Sequence, residues 1–393
     1  MKHADVAVIG GGPSGATAAH ELAQRGLSVL LLDKNGRIKP CGGAVPPILL
    51  REFDVPESRL EAKVSTARMV SPSNAEVDMD IGGFVGMVDR GSFDAWLRER
   101  AADAGANYVE GQFEGLERGS GGQLTVRYKP GGRDGAVEKT RVRAVVGADG
   151  AASRVRRQAM SHQETMKHVF AYHEIVRSPE GKTPWFDPER CDVYYQGKVS
   201  PDFYGWVFPH GECTSVGAGS AVKGFSLRNA VKIMRDNSRL DDNAIVRREG
   251  APLPLKPLKR WDNGRDVVLV GDAAGAVAPS SGEGIYYAMS SGRSAANAVT
   301  EFIEHGDARA LAKVRKDFMA SHRWVFFILG IMQYYWYTND KRREKFVEIC
   351  RDPDVQRLTW EAYMNKKLVR AKPAAHVRIF FKDLAHLVGF NPR

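Results

Sequence analysis

The chain has 393 residues, room for two or three domains unless one cofactor-centred fold takes up the whole length. Hydrophobic residues make up 43% and charged residues 26%, which excludes a disordered chain. The balance of 57 basic against 47 acidic residues, +10, comes with no nucleic-acid-binding motif, so a nucleic-acid partner is not expected.

Cys41, Cys191, Cys213 and Cys350 stand far apart, without a C-x-x-C pair. That argues against a disulfide scaffold and against a metal site, and for a reducing, cytoplasmic setting. A strand-like run begins by Val6, leaving no room for a signal or transit peptide. Forty glycines point to many tight turns or close backbone approaches.

In chain order, residues 5–9 read as a buried strand running straight into glycines. Ser14–Gln24 reads as a helix and Val29–Leu32 as a second buried strand, together a βαβ unit. Gly36–Pro47 is a Gly/Pro-rich loop, and Ser92–Ala104 an amphipathic helix capped by Ser92. Tyr108–Arg143 fits a small antiparallel meander broken by glycine pairs, and Val142–Val146 is again a buried strand. Short β-rich pieces follow at 168–175, 192–195, 203–208 and 214–218, with a helix near Leu227–Asn237, which predicts a second layer on an antiparallel sheet. Val267–Val270 returns to a buried strand, a small-residue helix runs from Gly282 to Phe302, and the rest is helical. The fold class is α/β, divided into a discontinuous first domain (1–165 and 256–305), a sheet domain (166–255) and a helical C-terminal region (306–393).

The strongest motif is Gly10-Gly11-Gly12-Pro13-Ser14-Gly15, a G-x-G-x-x-G turn between strand and helix, with Asp33 lying 23 positions after Gly10. Gly10 permits the sharp turn, Gly12 leaves room for a pyrophosphate, and Gly15 lets the helix approach the sheet. Free N–H groups at the helix N-terminus, including that of Ser14, favour phosphate, and Asp33 is placed to accept ribose hydroxyls, with Lys34 beside it. Two further glycine turns follow buried strands: Gly147-Ala148-Asp149-Gly150, and Gly271-Asp272-Ala273 leading to Gly282-Glu283-Gly284-Ile285. A nicotinamide enzyme needs only the first turn. A protein wrapping a long FAD needs all three, with Asp272 near the ribityl chain or pyrophosphate and the helix after Gly282 facing the isoalloxazine edge, where it would stabilise an anionic reduced ring.

These turns, with Arg90 in Val88-Asp89-Arg90-Gly91-Ser92-Phe93-Asp94, resemble the single-Rossmann FAD proteins of the p-hydroxybenzoate hydroxylase type. More closely, the chain resembles the geranylgeranyl reductases. The matching pieces are Pro40-Cys41-Gly42-Gly43-Ala44, Tyr204-Gly205-Trp206-Val207-Phe208-Pro209 followed by Val216-Gly217-Ala218-Gly219, and Gly271 through Ile285. Met69–Asn74 and Asn339–Tyr363 look like the chlorophyll and bacteriochlorophyll members. Asp33 departs from the Glu of many members but accepts the same hydrogen bonds.

The resemblance implies FAD as cofactor, NADPH as reductant, and reduction of isolated double bonds of a geranylgeranyl chain to phytyl. The chain would be carried on a (bacterio)chlorophyllide or as a prenyl diphosphate. Tyr204, Trp206 and Phe208 alternate on a strand and share one face, which with Pro209 would wall a slot for an isoprenoid. An isolated alkene has no carbonyl to delocalise charge, so hydride delivery needs a nearby acid in a dry site; the candidates are Cys41, Tyr204 and Tyr286. Asp149-Gly150, with Arg154, Arg156 and Arg157, are candidate nicotinamide contacts.

Between Arg323 and Asp340 lie sixteen uncharged, aromatic-rich residues, spanning roughly 24 Å as a helix. That is too short to cross a bilayer. Flanked by Arg323 and Lys341-Arg342-Arg343, the segment predicts a helix on a membrane surface or over the substrate cavity. An aromatic-ring monooxygenase, an archaeal-type lipid reductase and a non-redox prenyl-binding escort protein are the competing readings of the same fold.

Overall fold

The computed structural model describes residues 2–34, 36, 38–160 and 166–366. Two sheets of eight strands each are present among them. In the first, five parallel strands lie in the order 107–118, 29–33, 6–9, 144–147 and 267–269. Their centre is apolar throughout: Val6–Ile9 and Val29–Leu32 are buried, as a parallel strand covered on both faces must be. Strands 124–130 and 138–142 extend this sheet antiparallel, forming the meander expected at 108–143.

Helix Pro13–Gln24 packs on the sheet and is crossed by helix Ile285–His305. The crossing is close because Gly292 of the second helix lies against the first; a Cβ there would stand 2.2 Å from Ser14 O. Helix Arg90–Asp103 is capped by Asp89, whose carboxylate accepts from the N–H of Gly91 (2.7 Å) and Ser92 (3.4 Å), rather than by Ser92.

The second sheet runs 245–254, 168–177, 213–220, 205–210, 190–194, 62–70, 76–87 and 44–45. The β-rich pieces of 166–255 are all in it. It also takes in Ala62–Val70 and Glu76–Met87, so the layer expected at 166–255 draws two long strands from the N-terminal part. The 190–194 strand joins 62–70 in parallel; the other pairings are antiparallel.

Helices Lys313–Trp336, Asp340–Ile349 and Pro353–Asn365 close over this sheet. No helix among the described residues is long and apolar enough to cross a membrane. The Lys313–Trp336 helix has two apolar faces. Phe318 and Phe326 are buried and Leu329 and Met332 face the central cavity, while Trp324, Phe327, Ile331 and Tyr334 are exposed. Of the basic cluster beyond it, Arg343 does not face outward. It is buried, and its guanidinium holds Asp340 (2.7 Å), Tyr337 O (2.5 Å) and Pro201 O.

Candidate active site

Strand 6–9 ends at Gly10 with φ +106°, a conformation that favours glycine, and a Cβ there would lie 2.3 Å from Ala148 O. A Cβ on Gly15 would lie 1.8 Å from Gly10 O, so helix and strand can meet only without it. Gly12 differs: a Cβ there would meet nothing within 4 Å. It faces a cavity of about 1030 Å³. The helix that starts at Pro13 has no side-chain cap, so its first N–H groups point at this space. Asp33 ends the next strand on the cavity rim, and its Oδ2 accepts from Gly11 N–H at 2.6 Å. Open volume beside Gly12, uncapped donors and an acidic rim fit a dinucleotide pyrophosphate and ribose.

The other turns converge on the same cavity. Pro40-Cys41-Gly42-Gly43-Ala44 lines it, as do Lys34 and Arg90; the Arg90 guanidinium is held by Asp94 at 2.8 and 2.6 Å. Asp272 lines it and is paired with Lys39, while Gly271 and Ala273 shape the turn behind. Gly282, Glu283, Gly284 and Ile285 also line it, at the uncapped start of the Ile285–His305 helix, which begins three residues later than expected. Asp149 and Gly150 reach the wall too, but the Asp149 carboxylate is taken up by Ser153 Oγ (2.5 Å) and the N–H groups of Arg154 (2.6 Å) and Val155 (3.0 Å). The neighbouring arginines tie down backbone: Arg154 donates to Phe113 O (2.7 Å), Arg156 to Ala151 O (3.4 Å) and Arg157 to Ala152 O (2.7 Å).

Beyond the glycine cradle the cavity becomes an apolar tunnel. Tyr204, Trp206 and Phe208 stand along it with ring centroids 6.0 and 6.4 Å apart. Pro209 is buried but off the tunnel wall, because successive strand residues face opposite ways and Phe208 takes the tunnel side. Methionines from the 62–87 hairpin (Met69 and Met79) floor it, and Leu329, Trp336 and Trp360 roof it.

Trp206 is anchored from behind. Its indole N–H donates to Ser215 Oγ at 3.0 Å, which shares a hydrogen with His173 Nδ1 (2.9 Å), whose Nε2 meets Glu249 at 2.6 Å. Arg247 pairs with the same carboxylate at 2.8 Å. Gly217 makes this possible: a Cβ there would be 2.2 Å from the indole.

The three acid candidates fare differently. Cys41 faces the cavity and accepts from Gly43 N–H at 3.4 Å. Tyr204 faces it too, but its hydroxyl donates to Ser281 O at 2.5 Å and burial pushes the phenol up. Tyr286 does not face it: its hydroxyl donates to Glu52 at 2.9 Å, and one helical step of about 100° puts Tyr287 on the wall instead. Two wall residues carry no motif role of their own, Glu283 and Lys366. They form a buried ion pair, and Glu283 Oε1 is buried without a hydrogen-bond partner among the described residues. Lys366 could be placed only by the fold, since 83 residues separate the two.

A dinucleotide cradle, a second helix N-terminus on the same cavity and an apolar tunnel between two sheets and a helical roof define a flavin-dependent oxidoreductase of the single-Rossmann type. The fold matches a geranylgeranyl bacteriochlorophyll reductase-like protein from Thermoplasma acidophilum with TM-score 0.82 and 24% identity, over 95% of this chain and 100% of that one. A flavin-dependent brominase matches with TM-score 0.77 and 18% identity, over 97% and 99%. In sequence, the chain is 52% identical over 394 positions to the geranylgeranyl diphosphate reductase of Rhodobacter capsulatus, covering 100% of this chain and 99% of that protein. Residues 5–382 match the family described as Lycopene cyclase protein. The chain belongs to the geranylgeranyl reductase family.

Proposed function

We propose that this protein hydrogenates isolated double bonds of a geranylgeranyl chain to the phytyl level, with FAD as bound cofactor and NADPH as reductant. The substrate is the esterified (bacterio)chlorophyllide or the free prenyl diphosphate. The observation that carries this reading is the continuity of the cavity: a polar, glycine-built cradle opens without a partition into a tunnel walled by Tyr204, Trp206 and Phe208. A monooxygenase acting on a small phenol has no need of so long an apolar tunnel, and a non-redox prenyl carrier has no need of the cradle. Full-length identity to a reductase favours reduction over the cyclisation named in the family description.

In this reading Gly10, Gly12 and the Ser14 and Gly15 N–H groups hold the pyrophosphate, Asp33 the ribose, Asp272 the ribityl chain, and Gly282–Ile285 the isoalloxazine. When bound there, FAD would supply the hydride, with NADPH as the source of its electrons. The chain itself excludes water, through the roof of Leu329, Trp336 and Trp360, and aligns the prenyl chain against the aromatic strand. It must also provide one proton per double bond. Of the ionisable wall groups, which also include Tyr204, Tyr287, Cys191, Cys350 and Lys366, Cys41 and Glu283 stand in the glycine turns of the cradle.

The exposed face of the Lys313–Trp336 helix docks on the membrane that dissolves the substrate. Trp324, Phe327, Ile331 and Tyr334 form one stripe, at spacings of three, four and three residues, flanked by Arg323 and Lys341. The tunnel lies under the same helix, so a prenyl chain passes from lipid to tunnel without crossing bulk water.

The test is mass spectrometry after incubation with NADPH, using geranylgeranylated bacteriochlorophyll and geranylgeranyl diphosphate in parallel. A gain of two mass units per reduced bond supports the reading. NADPH oxidation coupled to oxygen uptake with a hydroxylated phenolic product would replace it.

A further inference from the structure

The Glu283–Lys366 pair is a costly feature for a tunnel wall. Both side chains are almost wholly buried, and taking two charges out of water is unfavourable unless each is fully compensated. Compensation among the described residues is incomplete: one Glu283 oxygen engages Lys366 and the other has no hydrogen-bond partner there. Among the described residues the groups facing the pair are phenols and the imidazole of His322. The Lys366 ammonium lies 3.8 Å from the Tyr363 ring centroid and 5.8 Å from that of Tyr287, with Tyr204 and Tyr286 also near.

Burial pushes the Glu283 carboxyl up and the Lys366 ammonium down. Both movements bring the ion pair and its neutral form, carboxylic acid beside amine, closer in free energy. One proton can then rest on either partner without solvent. A tunnel filled by a prenyl chain needs such a store, since no water reaches it during the reaction. The location suits a proton donor, because Glu283 is clamped between Gly282 (φ +64°) and Gly284, at the cavity end of the helix assigned to the isoalloxazine.

We propose that Glu283 is the acid that protonates the alkene and that Lys366 holds the proton that reloads it. This rests on the reductase reading. The proton leaves the Glu283 carboxyl for one alkene carbon while the hydride supplied by the family's reduced flavin arrives at the other. The C=C π bond breaks, two C–H bonds form, and Glu283 is left as carboxylate. That proton is the one the pair shares, taken up by Glu283 from the Lys366 ammonium beforehand, and the Lys366 amine regains one from solvent when product leaves.

The test uses FAD-loaded protein. Glu283→Gln should keep its yellow absorbance and be reduced by NADPH within a few-fold of wild type. Anaerobic reoxidation of the reduced protein by a geranylgeranyl substrate should slow by about a hundredfold or more, the usual contribution of a general acid. Independently, infrared spectra of ¹³C-glutamate-labelled wild type should show an isotope-shifted protonated-carboxyl band that grows in Lys366→Met, where the carboxyl has lost its cation. Reoxidation of Glu283→Gln within tenfold of wild type overturns the proposal. So does absence of the band from both wild type and Lys366→Met, whether or not Glu283→Gln folds. If wild type leaves the substrate untouched, the reductase reading fails, and the infrared result still decides the state of the pair.

Discussion

Gly12→Ala separates the cost of folding from the cost of holding a cofactor. In the structure the added methyl meets no atom within 4 Å, and the backbone there, φ −74° and ψ −176°, is one that alanine adopts freely. Losing glycine at a helix N-cap costs up to about 1 kcal/mol, and restricting the unfolded chain returns about 0.4–1 kcal/mol. The two nearly cancel, so the melting temperature of the apoprotein should stay within a few degrees of wild type. The same methyl would stand where the pyrophosphate must approach the backbone. Overfilling a close-packed site costs about 1–3 kcal/mol, so FAD affinity should fall by roughly 5- to 150-fold. Flavin fluorescence quenching measures the affinity and differential scanning fluorimetry the apoprotein stability. Gly15→Ala is the contrast: its methyl would sit 1.8 Å from Gly10 O, so the apoprotein itself should be destabilised. FAD affinity of Gly12→Ala within twofold of wild type would refute the placement of the pyrophosphate, and with it the orientation of everything downstream.

Four further outcomes are expected. Cys41→Ser should slow alkene reduction only a few-fold with FAD retained; a hundredfold loss would move the acid role from Glu283 to the thiol. Ser215→Ala leaves the buried Trp206 N–H and His173 without their shared partner and should cost about 1–3 kcal/mol, read as a lower melting temperature; an unchanged melt would show that the anchor carries no load. Phe327→Ser with Ile331→Ser, on the outward face of the roof helix, should release the protein from anionic vesicles in a sedimentation assay, and equal partition to wild type would end the docking reading. His322 is buried among Tyr286, Tyr287 and Phe318 with Nδ1 unpartnered among the described residues, and burial, helped by Lys366, holds its imidazole down to about 4. It stays neutral in the fold while the unfolded chain takes up a proton below about pH 6.5, so stability present above that pH is lost as pH falls towards 4. His322→Phe should flatten that part of the melting profile, and an unaltered pH slope would count against it.

The cofactor half of the site was legible because its chemistry is local. A strand, a glycine turn, a helix start and an acid at the end of the next strand lie within thirty-three residues, and periodicity with glycine spacing is enough to place them. The same holds for Tyr204, Trp206 and Phe208, whose common face follows from the two-residue repeat of a strand. That repeat also puts Pro209 on the opposite face from Phe208. Tyr286 was harder: adjacent tyrosines on a helix differ by about 100°, and only packing against Glu52 shows that Tyr287 is the one facing the cavity.

What tertiary structure alone decided are the meetings between distant segments. The hairpin of 62–87 gave no signal of its sheet, because its partners at 190–194 lie more than a hundred residues away and its pairing there is parallel. Basic residues beyond the roof helix looked equivalent in sequence, yet Arg343 turns inward to hold carbonyls while Lys341 stays in water, a choice made by the carbonyls that the neighbouring turn leaves unpaired. The Glu283–Lys366 pair is the extreme case. Each residue is ordinary in its own stretch of chain, and only the closing of the last described helix over the tunnel removes the water that would otherwise have kept their charges apart.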